Sequence, residues 1–303
     1  MRFRLIEAER AQHSVSLLCA VVGVTRAGFY AWRRRPASAR ELRDRELCEL
    51  IRKAFSASRE TYGAPRIQAE LQDEHGARVS RKRVARLMRR LGIEGVSRRG
   101  KRPLTTKRSE QAPAASDLVR RRFQAPGPDR LWVADITYVP TWEGYLFLAS
   151  VLDAWSRRCV GWSMRDDLRA ELVLDALGMA VTRRRPERGL IHHSDRGSQY
   201  TSLGFGKTLT DAGILQSIGR RGDAFDNAVA ESFFATLETE LFDRRTFKSR
   251  DQARLEVFEF IEGFYNPRRR HSALGYLSPE RFEDSHTNKE IMINNNYMAA
   301  IAV

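Results

Sequence analysis

HSDRGSQY (residues 193–200) and GDAFDNAVAESFFATL (residues 222–237) decide the fold of this 303-residue chain. They hold Asp195 and Glu231, with 35 residues between them. A third acid, Asp135, lies upstream in LWVADITYV (131–139), where one charge interrupts a β-branched, apolar run. A carboxylate in mid-strand is expensive to bury alone and needs a cation. A divalent metal shared by three carboxylates would supply it. The plainer alternative puts Asp135 on an exposed edge strand and Glu231 on a solvated helix face.

Outward from this stretch, periodicity orders the second half of the chain. Leu131 to Val139, Tyr145 to Leu152 and Cys159 to Met164 read as three successive strands. Glu171 to Arg184 is an amphipathic helix, Gly189 to Ser194 a short strand ending at Asp195, and a helix runs through Phe205 and Leu209. A strand near Ile214 to Ile218 and the Glu231 helix, with Asp226 as its N-cap, complete the order. On that last helix Val229, Phe233, Leu237 and Leu241 recur at core spacing, while Glu231 points about 200° away from Val229. Asn227, one turn earlier, shares the Glu231 face and could bond its carboxylate or a phosphate. A further helix through Leu255, Phe258 and Ile261 ends at Asn266-Pro267.

The first half is helical and basic. Val15 to Val22, a turn at Gly23, and a helix capped by Thr25 resemble a helix-turn-helix. A charged helix follows from Arg40 to Ser56. Pro65 opens another, which carries Arg66 and ends at Gly76, and Ser80 caps SRKRVARLMRRL. In the latter, Val84, Leu87, Met88 and Leu91 form the apolar stripe. Arg81, Lys82, Arg83, Arg86, Arg89 and Arg90 crowd the rest, as a phosphate track would require.

Charge agrees with that division. Of the net +15, residues 1–112 hold 27 Lys and Arg against 12 Asp and Glu, whereas the remainder is neutral. A basic block on a neutral partner is the footprint of nucleic-acid binding. No apolar run approaches a membrane span and no signal-peptide pattern opens the chain, so a cytoplasmic, nucleoid-associated protein is expected. Cys19, Cys48 and Cys159 are isolated and read as small buried residues. The expected divisions are a helix-turn-helix-like region (1–57), a second basic helical unit (58–97), a basic linker (98–125), an α/β catalytic domain (126–285) and a disordered tail (286–303).

The order Asp, Asp, 35 residues, Glu resembles the signature of DDE transposases and retroviral integrases. HSDRGSQYTS, DNAVAESFFATL, FYNPRRRHSALGYLSPERF, TYGAPRIQAEL and VSRKRVARLMRRLGI resemble, more narrowly, the second-frame product of insertion-sequence 3 family transposases. The likeness runs from about Arg4 to Phe282. It implies a ribonuclease-H-like fold, in which mid-strand 1, the end of strand 4 and a late helix converge, the places of Asp135, Asp195 and Glu231. It implies two Mg²⁺ or Mn²⁺ ions on those three acids, cleavage of an insertion sequence's ends, and transfer of the 3′-hydroxyl to another phosphodiester. DNA is the implied partner, with the upstream-frame product or a fusion to it, in a multimer on DNA. Arg66, Arg81, Lys82, Arg83, Arg86, Asn227, Arg268, Arg269, Arg270 and His271 are the expected DNA contacts, with His193 orienting Asp195 or touching DNA.

Zinc on His192 and His193 lacks further ligands at the right spacing, and Asp223 to Asn227 lacks a calcium loop's glycine. The competing functions are a ribonuclease-H-like nuclease that transfers only to water, and a catalytically inactive DNA-binding protein. One departure from the family pattern stands out. Seven residues after its glutamate the family usually carries Lys or Arg, and here the residue is Glu238.

Overall fold

A computed structural model describes residues 2–97, 116–119, 123–219 and 228–287. Arg98 to Arg108, Asn227, the Asp226 cap and the tail from 288 onward therefore lie outside the described residues.

Three short helices come first: α1 (Arg2–Glu9), α2 (Val15–Val22) and α3 (Arg26–Arg34). Ser14 and Thr25 cap the last two by accepting from Leu17 N and Gly28 N, and Gly23 turns between them at φ 68°. The axes of α2 and α3 meet at 106°, the geometry of a helix-turn-helix. Ile6, Cys19 and Phe29 form their small separate core. Helix α1 was not foreseen, because its eight residues bury only Ile6 and leave no stripe to read.

Next come α4 (Ala39–Ala57), α5 (Ala64–His75) and α6 (Arg81–Arg90). Ser38 and Glu41 form a reciprocal capping box on α4, Pro65 sits in the first turn of α5, Gly76 ends it at φ 59°, and Ser80 caps α6. Each helix is thus started and stopped by local chemistry. Leu47 and Ile51 of α4 share a core with Ile67 and Leu71 of α5 and with Val84 and Leu87 of α6. The core therefore joins α4 to the second helical unit.

The sheet has the order β3-β2-β1-β4-β5, from β1 (Leu131–Thr141), β2 (Gly144–Asp153), β3 (Cys159–Arg165), β4 (Ile191–Ser194) and β5 (Leu215–Ile218). The first three strands pair antiparallel, whereas β4 runs parallel to β1 and β5 parallel to β4. Helices α7 (Ala170–Arg184) and α8 (Leu203–Asp211) make the crossovers, as parallel pairing demands. Alternation on β1 splits the core. Trp132 and Ala134 pack in the α7 layer, while Leu131, Val133 and Val139 pack in the layer of α9 (Ala228–Glu240) and α10 (Arg250–Phe260). This is the ribonuclease-H-like integrase fold, with a helical region before it.

The second core is larger than sequence periodicity implies. The layer beneath β1 runs without interruption from Leu47 in α4 through Val84 in α6 to Phe260 and Tyr265. The helical unit is thus packed onto the α/β body. On α10 the expected stripe is rotated: Ala253, Val257 and Phe260 are buried, whereas Leu255 and Phe258 are 58% and 49% exposed. Ala253, too small to register as a stripe residue, lets the helix approach closely. Beyond Phe260 the chain continues as a π-turn over Ile261–Tyr265 before Asn266. Residues 286 and 287, expected in the tail, belong instead to a helix over 279–287 that carries His286 against Trp155 and Phe282.

Candidate active site

Asp135 sits midway along β1, on the face that carries Val133 and Val139 toward α9. Its Oδ1 accepts from Ile136 N at 2.8 Å. Strand β4 pairs with β1 through Val133 and His193 and stops at Ser194. Extending that parallel register by two residues sets Asp195 level with Asp135. Asp195 Oδ1 accepts from Gly197 N at 2.9 Å, which folds the loop back under the carboxylate.

Burial, then the charge of Asp195 and after it that of Glu231, push the Asp135 carboxyl up to about 8, against the bond from Ile136. The three acids therefore share one electrostatic field. Glu231 stands in the first turn of α9, exposed on the side away from Val229 and Phe233, and partial burial raises its carboxyl. Among the described residues, no three His, Cys, Asp or Glu side chains stand close enough as they are to hold an ion. The hard oxygen donors suit Mg²⁺ or Mn²⁺, and their mutual repulsion is what a cation relieves.

His192 is fully buried between Tyr200 and Phe205, and neither ring nitrogen has a hydrogen-bond partner. Burial and neighbouring His193 hold its pKa down at about 3, so it is a neutral packing residue. His193 is buried as well. Its Nδ1 meets Ser217 Oγ at 2.9 Å and its ring lies edge-on to Phe123. The expectation that it touches DNA is corrected: it ties β4 to β5.

The expected DNA contacts divide sharply. Arg81, Lys82 and Arg268 are exposed. Arg86 is exposed too and Arg83 partly so, but both donate to Asp44, buried on α4, at 2.8 and 2.9 Å and so hold α6 to α4. Arg269, only 2% exposed, donates from Nε and Nη2 to Glu240 at 2.8 and 2.6 Å. Arg66 reaches the same carboxylate at 3.2 Å and packs over the Tyr62 ring. His271 packs against Tyr265 and meets Arg269 Nη1 at 3.3 Å. Arg269 is therefore removed from the DNA surface, whereas Arg66, partly exposed, and His271 are tied to the same cluster. A buried carboxylate outcompetes a distant phosphate for a desolvated guanidinium.

Sequence reading missed Glu240 and Tyr62 altogether, and its expectation that Arg270 contacts DNA is corrected, because Arg270 is buried. Tyr62 Oη accepts from Arg270 N at 2.7 Å and donates to the Arg268 carbonyl at 3.2 Å, while Arg270 pairs with Glu70 and Asp73 of α5. One signal was available. An acid in the last turn of a helix opposes the helix dipole, and Glu240 in that place needs a cation.

Comparison with known proteins agrees with this architecture. Residues 125–224 and 212–279 match integrase core domain families, and residues 41–102 match an HTH-like domain. The Escherichia coli (strain K12) transposase InsF for insertion sequence IS3A is 40% identical over 94% of this chain and 99% of its own length. The insertion element IS600 uncharacterized 31 kDa protein of Shigella sonnei is 40% identical over 89% of this chain and 98% of its own. Among solved structures, the HTLV-2 integrase catalytic core domain in complex with magnesium is 15% identical at a TM-score of 0.39, covering 52% of this chain and 98% of that one. With full-length identity at this level, and with both the integrase core and the HTH-like unit in place, the chain belongs to the insertion-sequence 3 family of DNA transposases.

Proposed function

We propose that Asp135, Asp195 and Glu231 form the catalytic centre, and that it cuts the ends of the element and joins the freed 3′-hydroxyl to a new phosphodiester. Integrase core domains act with divalent metals. The observation that carries the assignment is the parallel register by which Asp195 comes level with Asp135, whose carboxyl is raised to about 8 by burial first and then by the charges of Asp195 and Glu231. A cation received between these carboxylates would relieve their mutual repulsion. Two Mg²⁺ or Mn²⁺ ions on these carboxylates would activate the attacking oxygen and stabilise the leaving one. The protein's own part is placement. The backbone bonds from Ile136 and Gly197 fix one oxygen each of Asp135 and Asp195, leaving the other free. Glu231 completes the set from a helix whose opposite face is locked in the core.

DNA would be followed by the exposed cations Arg81, Lys82 and Arg268, with Asn227, four residues before Glu231 in sequence, as a further contact. The upstream-frame product, or a fusion to it, would complete end recognition in a multimer on DNA. Among the described residues no single helix is long and apolar enough to cross a membrane, and we place the protein with its DNA in the cytoplasm.

The test is a labelled element end with Mg²⁺. Joined product is the expected outcome, cut product alone would indicate a nuclease, and a shifted band without either would indicate a binding protein. Asp135→Asn, Asp195→Asn and Glu231→Gln should each abolish cleavage while retaining DNA affinity. Wild-type cleavage by any of them would remove that residue from the centre.

A further inference from the structure

Glu240 closes the helix that carries Glu231. Nine residues separate the two, about 13.5 Å along the axis and half a turn apart, so one faces the site and the other the interior. The interior carboxylate is gripped from two sides. Arg269 comes from the loop after α10, and Arg66 comes from α5 of the HTH-like unit. Burial alone would raise Glu240, yet the bonds and charges of both guanidiniums hold it below the ordinary range. A second attachment lies alongside. Arg270 reaches Glu70 and Asp73 on α5, and its backbone is held by Tyr62.

A buried ion cluster is a poor device for stability, because desolvation offsets most of the attraction. It is a good device for orientation, since planar guanidiniums accept only narrow geometry. Apolar contacts of Val229, Phe233 and Leu237 already bury α9, and what they leave soft is sliding and rotation.

We propose that Arg66, Glu240 and Arg269 are positioning residues that transmit the seating of the HTH-like unit on DNA to the carboxylate of Glu231. Force on α5 moves Arg66, Arg66 moves Glu240, and α9 moves as a rigid rod. The inference rests on the transposase reading for its effect on cleavage. The mechanical link itself does not.

Arg66→Met tests it, because the stem over Tyr62 is kept, the pair Arg269–Glu240 survives, and only the arm from α5 is cut. Two duplexes are compared at low salt and saturation: a long element end that spans both protein units, and a short one holding only the cleavage site. Wild type should cut the long duplex about ten-fold faster, since small displacements in a reacting centre cost that much or more. In Arg66→Met the advantage should vanish, with the short-duplex rate and the melting temperature unchanged, and Arg66→Lys should restore part of it. An unchanged ratio, or both rates falling together, would overturn the proposal. Hydrogen exchange gives a readout without cleavage. The long duplex should slow exchange of α9 amides in wild type and not in Arg66→Met. Equal slowing in both would overturn the link even if the wild type cut neither duplex, a result that by itself would refute the transposase reading.

Discussion

Asp153, at the end of β2, shows how a single buried acid is held and what it does to stability. Its Oδ1 accepts from Trp155 N and Ser156 N at 2.9 Å each, and Oδ2 accepts from Asp129 N at 2.7 Å, which folds the turn into β3. Burial nevertheless dominates these bonds and raises the carboxyl from 3.8 to about 6. Because the folded state holds this proton more tightly than the unfolded chain, its contribution is complete below the unfolded value and is lost as pH rises through about 6. The span corresponds to about 3 kcal/mol. Glu240, Glu283 and Asp44, all shifted down, act in the opposite sense. The difference between wild type and Asp153→Asn in denaturant unfolding isolates the effect. Relative to wild type the variant should gain as pH goes from 4 to 7, and a constant offset would mean that Asp153 does not titrate in this window.

Between elements, two glycines predict opposite outcomes. Gly161 of β3 lies so close to α7 that an added Cβ would come 2.2 Å from the Ala176 carbonyl oxygen and 2.8 Å from Ala180 N. Backbone cannot step aside there as a side chain can. Gly161→Ala should cost about 1–3 kcal/mol, read as a lowered unfolding midpoint. Gly178, on the outer side of the same helix, has nothing within 4 Å, and Gly178→Ala should stabilise by about 0.5–1 kcal/mol through helix propensity. If both variants shift the same way, the close packing of β3 on α7 is not as described. Helix α9 poses a question of charge. Glu238 is exposed two turns beyond Glu231 and on nearly the same face. Glu238→Lys should tighten binding to an element end, most at low salt, where the Debye length exceeds about 10 Å. Superimposable salt titrations of the two proteins would show that residue 238 does not meet DNA.

For the molecule as a whole, the internal use of arginine limits DNA binding. Arg269 and Arg270 are buried against acids, and the partly exposed Arg66, Arg83 and Arg86 are each paired with a buried one, so the unpaired phosphate-facing charge is smaller than composition implies. The chain alone should therefore bind duplex DNA weakly and with little preference for element ends. Adding the upstream-frame product should supply selectivity, seen as a specific complex that survives raised salt. A salt-resistant, end-specific complex formed by this chain alone would contradict that expectation.

The sequence by itself determined most of the elements, though not α1, and marked the candidate site. Caps at Thr25 and Ser80, the stop at Gly76, the strand runs and the stripe of Val229, Phe233 and Leu237 are local signals, and each was met within a residue or two. Asp135 was legible because charge in an apolar strand run is conspicuous whatever surrounds it, and Asp195 because it stands where the β4 run ends. Tertiary structure alone decided which charges face water. YNPRRRH and the α6 cations look alike in sequence, yet Arg268, Arg81 and Lys82 are exposed while Arg269 and Arg270 are buried. Their partners, Glu240, Glu70 and Asp73, lie 29 to 200 residues away in the chain. An ion pair across such a separation leaves no periodicity, and only the packing of the helical unit on the α/β body brings its members together.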